Sequence, residues 1–153
     1  MARTRVARYT SEHREAWVRM RRELFQGEDE SLLREEERQI DASGTLKSQP
    51  FERFLAFADD VPVGFAEATI RSSAEDCMTS PVVYLEAWFV DNPDRGSGLG
   101  RSLVEAVAAW GREHGCSEMG SDARVENSAS VAAHLALGFE DAGVIRCFRR
   151  TIS

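Results

Sequence analysis

The chain has 153 residues, of which 42% are hydrophobic and 29% are charged, and its formal net charge is −7. This length and composition predict a single globular domain and exclude a disordered chain, and no apolar run approaches the roughly 20 residues of a membrane-spanning helix. The negative charge argues against nucleic-acid binding, which requires a basic surface. The three cysteines are widely spaced and the first residues lack the apolar core of a signal peptide, so we expect a cytoplasmic protein without disulfides, bound metal or membrane contacts.

Hydrophobic periodicity predicts two helices and three strands in the first half of the chain. A short strand at 6–9 precedes a helix that begins near Ser11 and carries Trp17, Met20 and Leu24 on one face. A second helix is predicted over 29–42, ending near Gly44. Paired strands follow at 51–58 and 61–70, and Asp59-Asp60 supplies the turn between them.

The second half alternates strands and helices. A strongly apolar strand at 82–90 leads through a turn and a glycine-rich loop into a helix, whose apolar face has four members, Leu99, Leu103, Val107 and Trp110. A short strand at 116–122 and a helix capped by Asn127 or Ser128 come next. Two short strands, around Phe139 and over 144–151, are predicted to finish the chain. This order of elements predicts a mixed α/β sheet with helices on its faces.

Residues 28–41 form an acidic segment, with seven acidic side chains against two arginines. Such a run is typical of a solvated helix face. The alternative is a negative wall that attracts a cationic ligand.

The glycine-rich loop is the first candidate binding site. A strand, a glycine turn and a helix start place unpaired backbone N–H groups where they can hold a phosphate. A Walker motif is excluded because Arg95 and Arg101 stand where glycine and lysine are needed, and Arg101 also replaces the third glycine of a dinucleotide fingerprint. A tight structural turn remains the alternative.

The loop Arg95, Gly96, Ser97, Gly98, Leu99 and Gly100 resembles the R/Q-x-x-G-x-G/A pyrophosphate loop of the GNAT superfamily of N-acetyltransferases. The segment 127–139, NSASVAAHLALGF, is similar to the superfamily's asparagine-containing segment. The resemblance implies a GNAT fold, with a mixed central sheet that splays between its fourth and fifth strands and has helices on both faces. It also implies acetyl-CoA as co-substrate, bound by the loop, by the main chain of Trp88, Phe89 and Val90, and by Asn127.

Within that superfamily, three segments resemble the aminoglycoside 6'-N-acetyltransferases: FAEATIR at 65–71, SPVVYLEAWFV at 80–90 and EMGSDARVEN at 118–127. This resemblance implies an antibiotic-resistance enzyme that acetylates the 6'-amine of these drugs. Glu86 is then the proton acceptor, directly or through a water molecule, Asp122 orients the amine, and Phe25 packs on a sugar ring. For each acid, an ordinary strand-end ion pair or cap is the alternative.

Other features leave alternatives open. His134 stands where many superfamily members have a tyrosine that protonates the leaving thiolate, but the sequence favours a helix-surface histidine with no such task, so His134 is not included among the predicted catalytic residues. The acceptor can instead be a polyamine, a metabolite or a peptide N-terminus. A non-catalytic acetyl-CoA-binding module is disfavoured by the presence of both carboxylates. We expect a homodimer, because the late apolar strand at 144–151 resembles an edge through which superfamily members pair.

Overall fold

The computed structural model describes all 153 residues and divides them into two compact units, Met1–Ser121 and Asp122–Ser153. The first unit contains six strands and three α-helices. The strands are β1 (Thr4–Arg8), β2 (Thr45–Leu46), β3 (Gln49–Ala58), β4 (Val61–Arg71), β5 (Val82–Val90) and β6 (Met119–Ser121). The helices are α1 (Arg14–Leu24), α2 (Glu30–Ser43) and α3 (Leu99–Glu113), and the second unit contains α4 (Ser128–Ala136).

The strands form one mixed sheet in the order β1-β3-β4-β5-β6, with the two-residue β2 paired to the start of β3. All pairings are antiparallel except that of β5 with β6, which is parallel. The sheet and its helices confirm the predicted fold class. The short β2 was not predicted, since two residues carry no periodic pattern.

Helices pack on both faces of this sheet. On one face, Trp17 and Met20 of α1 and Leu33 of α2 share a core cluster with Ala87 and Phe89 of β5. Side chains along a strand alternate between its faces, so Trp88 points the other way. On that opposite face the Trp88 indole Nε1 donates a hydrogen bond of 3.1 Å to the Gly100 carbonyl at the start of α3.

Two turns form where the sequence predicted them. Asp59 and Asp60 both adopt positive φ, 48° and 62°, as the two-residue hairpin turn between β3 and β4 requires. Gly44 ends α2 with φ of 68°, and its N–H bonds to the Ile40 carbonyl.

The strands β5 and β6 separate soon after they meet. They pair only over Val83–Leu85 and Met119–Ser121, so the second half of β5, from Glu86 to Val90, has no β6 partner on that edge. This gap is the predicted splay between the fourth and fifth strands in the sheet order, β5 and β6. An exposed strand edge of this kind can bind an extended group through main-chain hydrogen bonds.

The second unit differs from the prediction at its C-terminal end. Residues 139–153 contain no strand, so the two strands predicted around Phe139 and over 144–151 are wrong for this chain. Several apolar side chains of this segment are exposed: Val144, Ile145, Phe148 and Ile152. The apolar pattern indicated strand propensity, but a strand forms only when an edge is available to complete its hydrogen bonds.

No helix of the protein has the length and apolarity to cross a membrane.

Candidate active site

Glu86 lies at a β-bulge in the centre of β5. On β4 the consecutive residues Glu67 and Ala68 pair with Ala87 and Leu85, which leaves Glu86 as the extra residue of β5. A bulge re-aims the side chain that it carries. Strict alternation with Ala87 would turn Glu86 toward the α3 face, whereas the bulge turns it toward the face that carries α1.

The carboxylate of Glu86 is held through one of its oxygens. Glu86 Oε1 accepts hydrogen bonds from Thr69 Oγ1 at 2.7 Å and from Arg71 Nη2 and Nε at 2.6 and 3.2 Å. The Arg71 guanidinium stacks over the Tyr84 ring at 3.6 Å. The Glu86 and Arg71 side chains keep 28% and 33% of their surface exposed, so the ion pair is accessible to a ligand.

A cavity of about 290 Å³ lies in front of Glu86. This volume is close to the lower limit for small-molecule sites, about 300 Å³. The lining contains two aromatic rings and six charged side chains: Phe25 and Phe51, with Arg21, Glu36, Lys47, Glu67, Arg71 and Glu86. The structure therefore brings the predicted residues Phe25 and Glu86 to one cavity.

A second carboxylate of this cavity, Glu67, is deeply buried. Its Oε2 accepts a 2.9 Å hydrogen bond from Trp17 Nε1, and its Oε1 pairs with Arg21. Arg21 also pairs with Glu28. Burial alone would lower the pKa of Arg21, but the carboxylates of Glu67 and Glu28 raise it above its ordinary value. Arg21 therefore stays charged, and it lies against the ring of Phe25 at 4.9 Å.

The glycine loop opens α3 with no side-chain cap. Gly96 and Gly98 have φ of 82° and 90°, and an added Cβ at either would meet nothing within 4 Å. The first N–H groups of any α-helix have no partner inside the helix, and the helix dipole makes this end attractive to anions. The loop is thus an open cradle of backbone donors that fits a pyrophosphate.

Two contacts fix this cradle beside β5. Arg95 Nε donates to the Val90 carbonyl at 2.8 Å, which ties the loop to the end of the strand. An added Cβ on Gly100 would lie 3.2 Å from the Trp88 ring, so the close approach of helix and strand favours glycine. The predicted cofactor residues from Trp88 to Gly100 are therefore continuous along β5 and the start of α3.

The remaining predicted residues lie in the second unit. Asp122 is exposed and directly follows the last residue of β6. Asn127 caps α4, its side chain accepting a 3.1 Å hydrogen bond from the Ser130 N–H. His134 Nδ1 lies 2.7 Å from the Ser130 carbonyl oxygen, and its ring meets Phe139 edge-on. That carbonyl can only accept, so the proton of the neutral ring lies on Nδ1.

The profile of the Acetyltransferase (GNAT) family matches residues 12–139, which span both units and include the loop and Glu86. The chain belongs to this acetyltransferase family. It is an acyltransferase with the predicted GNAT fold.

Similar sequences to this acetyltransferase are aminoglycoside N(6')-acetyltransferases type 1. The protein of Klebsiella aerogenes is 39% identical over 140 residues, 90% of each chain. The protein of Stenotrophomonas maltophilia is 40% identical over 136 residues, 88% of this chain and 84% of that one.

The solved structures that are similar to this chain include further aminoglycoside acetyltransferases. AAC(6')-Iy in complex with the bisubstrate analogue CoA-S-monomethyl-acetylneamine has a TM-score of 0.89 and 33% identity, covering 98% of this chain and 99% of the other. The 6'-N-acetyltransferase AAC(6')-Ih of Acinetobacter baumannii has a TM-score of 0.88 and 29% identity, covering 99% and 100%.

The residues that surround Glu86 in this acetyltransferase were not predicted from the sequence. Glu67, Thr69 and Arg71 alternate along β4 and therefore share one face. Three polar side chains at period two inside a buried strand were the signal that could have found them. The bulge at Glu86 left no such signal, because it depends on how two strands pair.

Proposed function

We propose that this acetyltransferase transfers the acetyl group of acetyl-CoA to the 6'-amine of aminoglycoside antibiotics and thereby confers resistance. The observation that carries the proposal is the cavity in which Glu86, held at a bulge by Thr69 and Arg71, faces an aromatic side chain, Phe25. Relatives with 39% and 40% identity are aminoglycoside N(6')-acetyltransferases, and a structural neighbour binds CoA linked to acetylneamine.

The reaction needs a neutral amine and a polarised thioester. The amine nitrogen forms a bond to the acetyl carbon, the bond from that carbon to sulfur breaks, and the thiolate leaves. Glu86 takes the amine proton, directly or through a water molecule, and a main-chain N–H of β5 near Trp88 polarises the carbonyl oxygen. Asp122 orients the amine. Protonation of the thiolate is the step in which His134 is a candidate donor, through Nε2 of its protonated ring, because its Nδ1–H is bonded to the Ser130 carbonyl.

A matched pair of drugs tests the substrate and the position of transfer. Neomycin and paromomycin differ only at the 6' position, which carries an amine in neomycin and a hydroxyl in paromomycin. We expect thiol release from acetyl-CoA with neomycin and at least about a hundredfold less with paromomycin, because a hydroxyl is a much weaker nucleophile toward the thioester than a neutral amine. Equal rates would exclude 6' transfer. Rapid turnover of spermidine with none of neomycin would instead support a polyamine acceptor.

Acetyl-CoA is proposed to bind along Trp88–Val90 and at the loop Arg95–Gly100, with Asn127 as a further contact. Replacing Gly98 by Asp places a negative side chain where the pyrophosphate binds, so calorimetry should show CoA affinity falling by at least about tenfold. Gly115→Asp is the matched control. Gly115 lies beyond the other end of α3, has φ of 81°, and is equally open, so backbone strain is the same but CoA binding should not change. Equal CoA affinity in both variants would refute this site.

We also propose that the whole chain is one acetyltransferase domain and that it acts in the cytoplasm as a homodimer. A cytoplasmic location fits a co-substrate made and used there. The four exposed apolar side chains of the segment 144–152 support self-association. Light scattering at micromolar concentration should give twice the monomer mass, and Phe148→Asp should lower it. A wild-type monomer would contradict the homodimer.

A further inference from the structure

The acidic segment 28–41 is largely a solvated face, as predicted, but its charges are paired and do not form a continuous negative wall. Six of its seven acidic side chains have a partner within the protein. These are Glu28 with Arg21, Asp29 with the Ser31 and Leu32 N–H groups, Glu30 with Arg22 and Arg34, Glu35 with Arg38, Glu37 with Arg14, and Asp41 with Arg53. Helix capping and ion pairing therefore account for most of this charge.

Glu36 is the exception. It makes neither a hydrogen bond nor an ion pair, and it lines the same cavity as Glu86. Its helix position turns it toward this cavity, whereas Glu35, one residue earlier, is exposed and paired with Arg38 outside it. The cavity thus contains one carboxylate that the protein itself does not neutralise.

The surroundings of Glu36 disfavour its negative charge, so a bound cation would stabilise it. Partial burial is the largest cause that raises the pKa of Glu36 above its ordinary value of 4.5, and the carboxylates of Glu67 and Glu28 raise it further. Arg21 and Lys47 lower it, but neither forms an ion pair with it. Arg21 is already shared between Glu67 and Glu28.

Glu36 and Glu86 line the same cavity from two different elements. Glu36 comes from α2, and Glu86 comes from the bulge of β5. A ligand that brings one amine to Glu86 fills this space with the ring that carries the amine, and Phe25 and Phe51 supply apolar surface for that ring. A second ammonium on the same molecule would reach an acid that has no other partner. A polyamino sugar has this chemistry, whereas a monoamine does not.

We propose that Glu36 binds a second ammonium group of the acceptor while Glu86 receives the amine that reacts. The inference rests on the function proposed above and deepens it. It makes Glu36 a residue that selects polycationic acceptors through KM, with little influence on the chemical step.

The test compares Glu36→Gln with Glu35→Gln on two acceptors. Both variants remove one negative charge from the same helix, so a general field effect changes them alike. Neomycin carries many ammonium groups, whereas methyl 6-amino-6-deoxyglucoside carries only the reacting one. For Glu36→Gln we expect the KM of neomycin to rise about tenfold with kcat within twofold, since a charge-assisted hydrogen bond is lost. For Glu35→Gln, and for the monoamine with either variant, we expect kcat/KM within twofold of the wild type.

Calorimetry of neomycin binding to the protein with CoA provides a second measurement, which decides the matter even where the monoamine is turned over slowly. The dissociation constant should rise about tenfold for Glu36→Gln and stay unchanged for Glu35→Gln. An unchanged constant for Glu36→Gln, or an equal loss with the monoamine, would overturn the role of Glu36 while leaving the proposed function intact. A wild-type protein that neither binds nor acetylates neomycin would overturn both.

Discussion

Two regions that line the cavity each contain a glutamate–arginine ion pair, and the two pairs differ in how far they are exposed to solvent. The Glu67 region contains Trp17, Arg21, Glu28 and Glu67, and the Glu86 region contains Thr69, Arg71, Tyr84 and Glu86. In the first, the Glu67 and Arg21 side chains are only 4% and 9% exposed, and each has two partners. In the second, Glu86 and Arg71 keep about a third of their surface in contact with solvent.

The difference in exposure indicates that the Glu67 region contributes mainly to stability and the Glu86 region mainly to the proposed function. A buried ion pair loses its hydration, so removing one partner leaves an uncompensated charge in the core. A pair that is about one-third exposed is solvated in part, so its partners can be exchanged at low cost. The Glu67 region therefore fixes α1 against β4, whereas in the function proposed above the Glu86 region exchanges Arg71 for an ammonium of the substrate. The bulge in β5 provides this second environment by placing Glu86 at the cavity.

The largest expected effect is on stability, in the Glu67 region. Glu67→Met should lower the free energy of unfolding by about 3 kcal/mol, since Arg21 keeps Glu28 but loses its most buried partner. Urea denaturation measures this change. The double variant Arg21→Met, Glu67→Met should recover part of the loss, because an apolar pair has no charge to bury.

The control for this prediction is an exposed ion pair on the same helix, Arg19 with Glu23, whose side chains are 45% and 54% exposed. Glu23→Gln should change the free energy of unfolding by less than about 0.5 kcal/mol. A loss of the same size for Glu23→Gln and Glu67→Met would show that burial does not distinguish the two regions.

The second effect is on turnover, in the Glu86 region. Glu86→Gln keeps the shape and can still accept from Thr69, but it cannot take a proton from the amine. We expect kcat with neomycin to fall about a hundredfold, equivalent to about 2.7 kcal/mol in the barrier. The free energy of unfolding should change by less than about 1 kcal/mol, given the exposure of the pair. Steady-state kinetics and urea denaturation on one preparation test both parts, and a variant with wild-type kcat would exclude Glu86 as the base.

The sequence predicted the fold well where periodic patterns are long. The apolar face of α3 and the Asp59-Asp60 hairpin turn follow from local rules that need no partner. The prediction of two C-terminal strands was wrong because strand formation depends on an available sheet edge, and a local sequence pattern gives no information about such an edge. The family resemblance also indicated the loop and Glu86, which spacing alone could not assign.

The surroundings of the site were less predictable. Arg71 and Thr69 reach Glu86 only because β4 and β5 pair in a register interrupted by one extra residue. The composition of the acidic segment 28–41 showed the amount of charge but not its pairing, since four of the arginines that pair with it lie outside the segment. That Glu36 alone faces the cavity follows from the packing of α2 and not from composition.

The smallest expected effect is that of salt, and it distinguishes the two regions without any mutation. Raising the ionic strength from about 50 to about 300 mM shortens the screening length to about 6 Å, which weakens attraction between partly solvated charges. The KM of neomycin should rise about threefold, because its ammonium groups meet the partly exposed carboxylates of Glu86 and Glu36. The midpoint of thermal unfolding should stay within about 2 °C, since the pair of Glu67 and Arg21 is buried beyond the reach of mobile ions.

Acetyl-CoA serves as the internal control for the salt experiment. It is an anion, and the protein has a net charge of −7, so general electrostatic repulsion opposes its approach. Salt relieves that repulsion, and the KM of acetyl-CoA should fall or stay constant while the KM of neomycin rises. A parallel rise for both substrates would indicate a general effect of salt on the enzyme. A large drop in the unfolding midpoint would show that the Glu67 region is as accessible to solvent ions as the Glu86 region, and the distinction between the two would be lost.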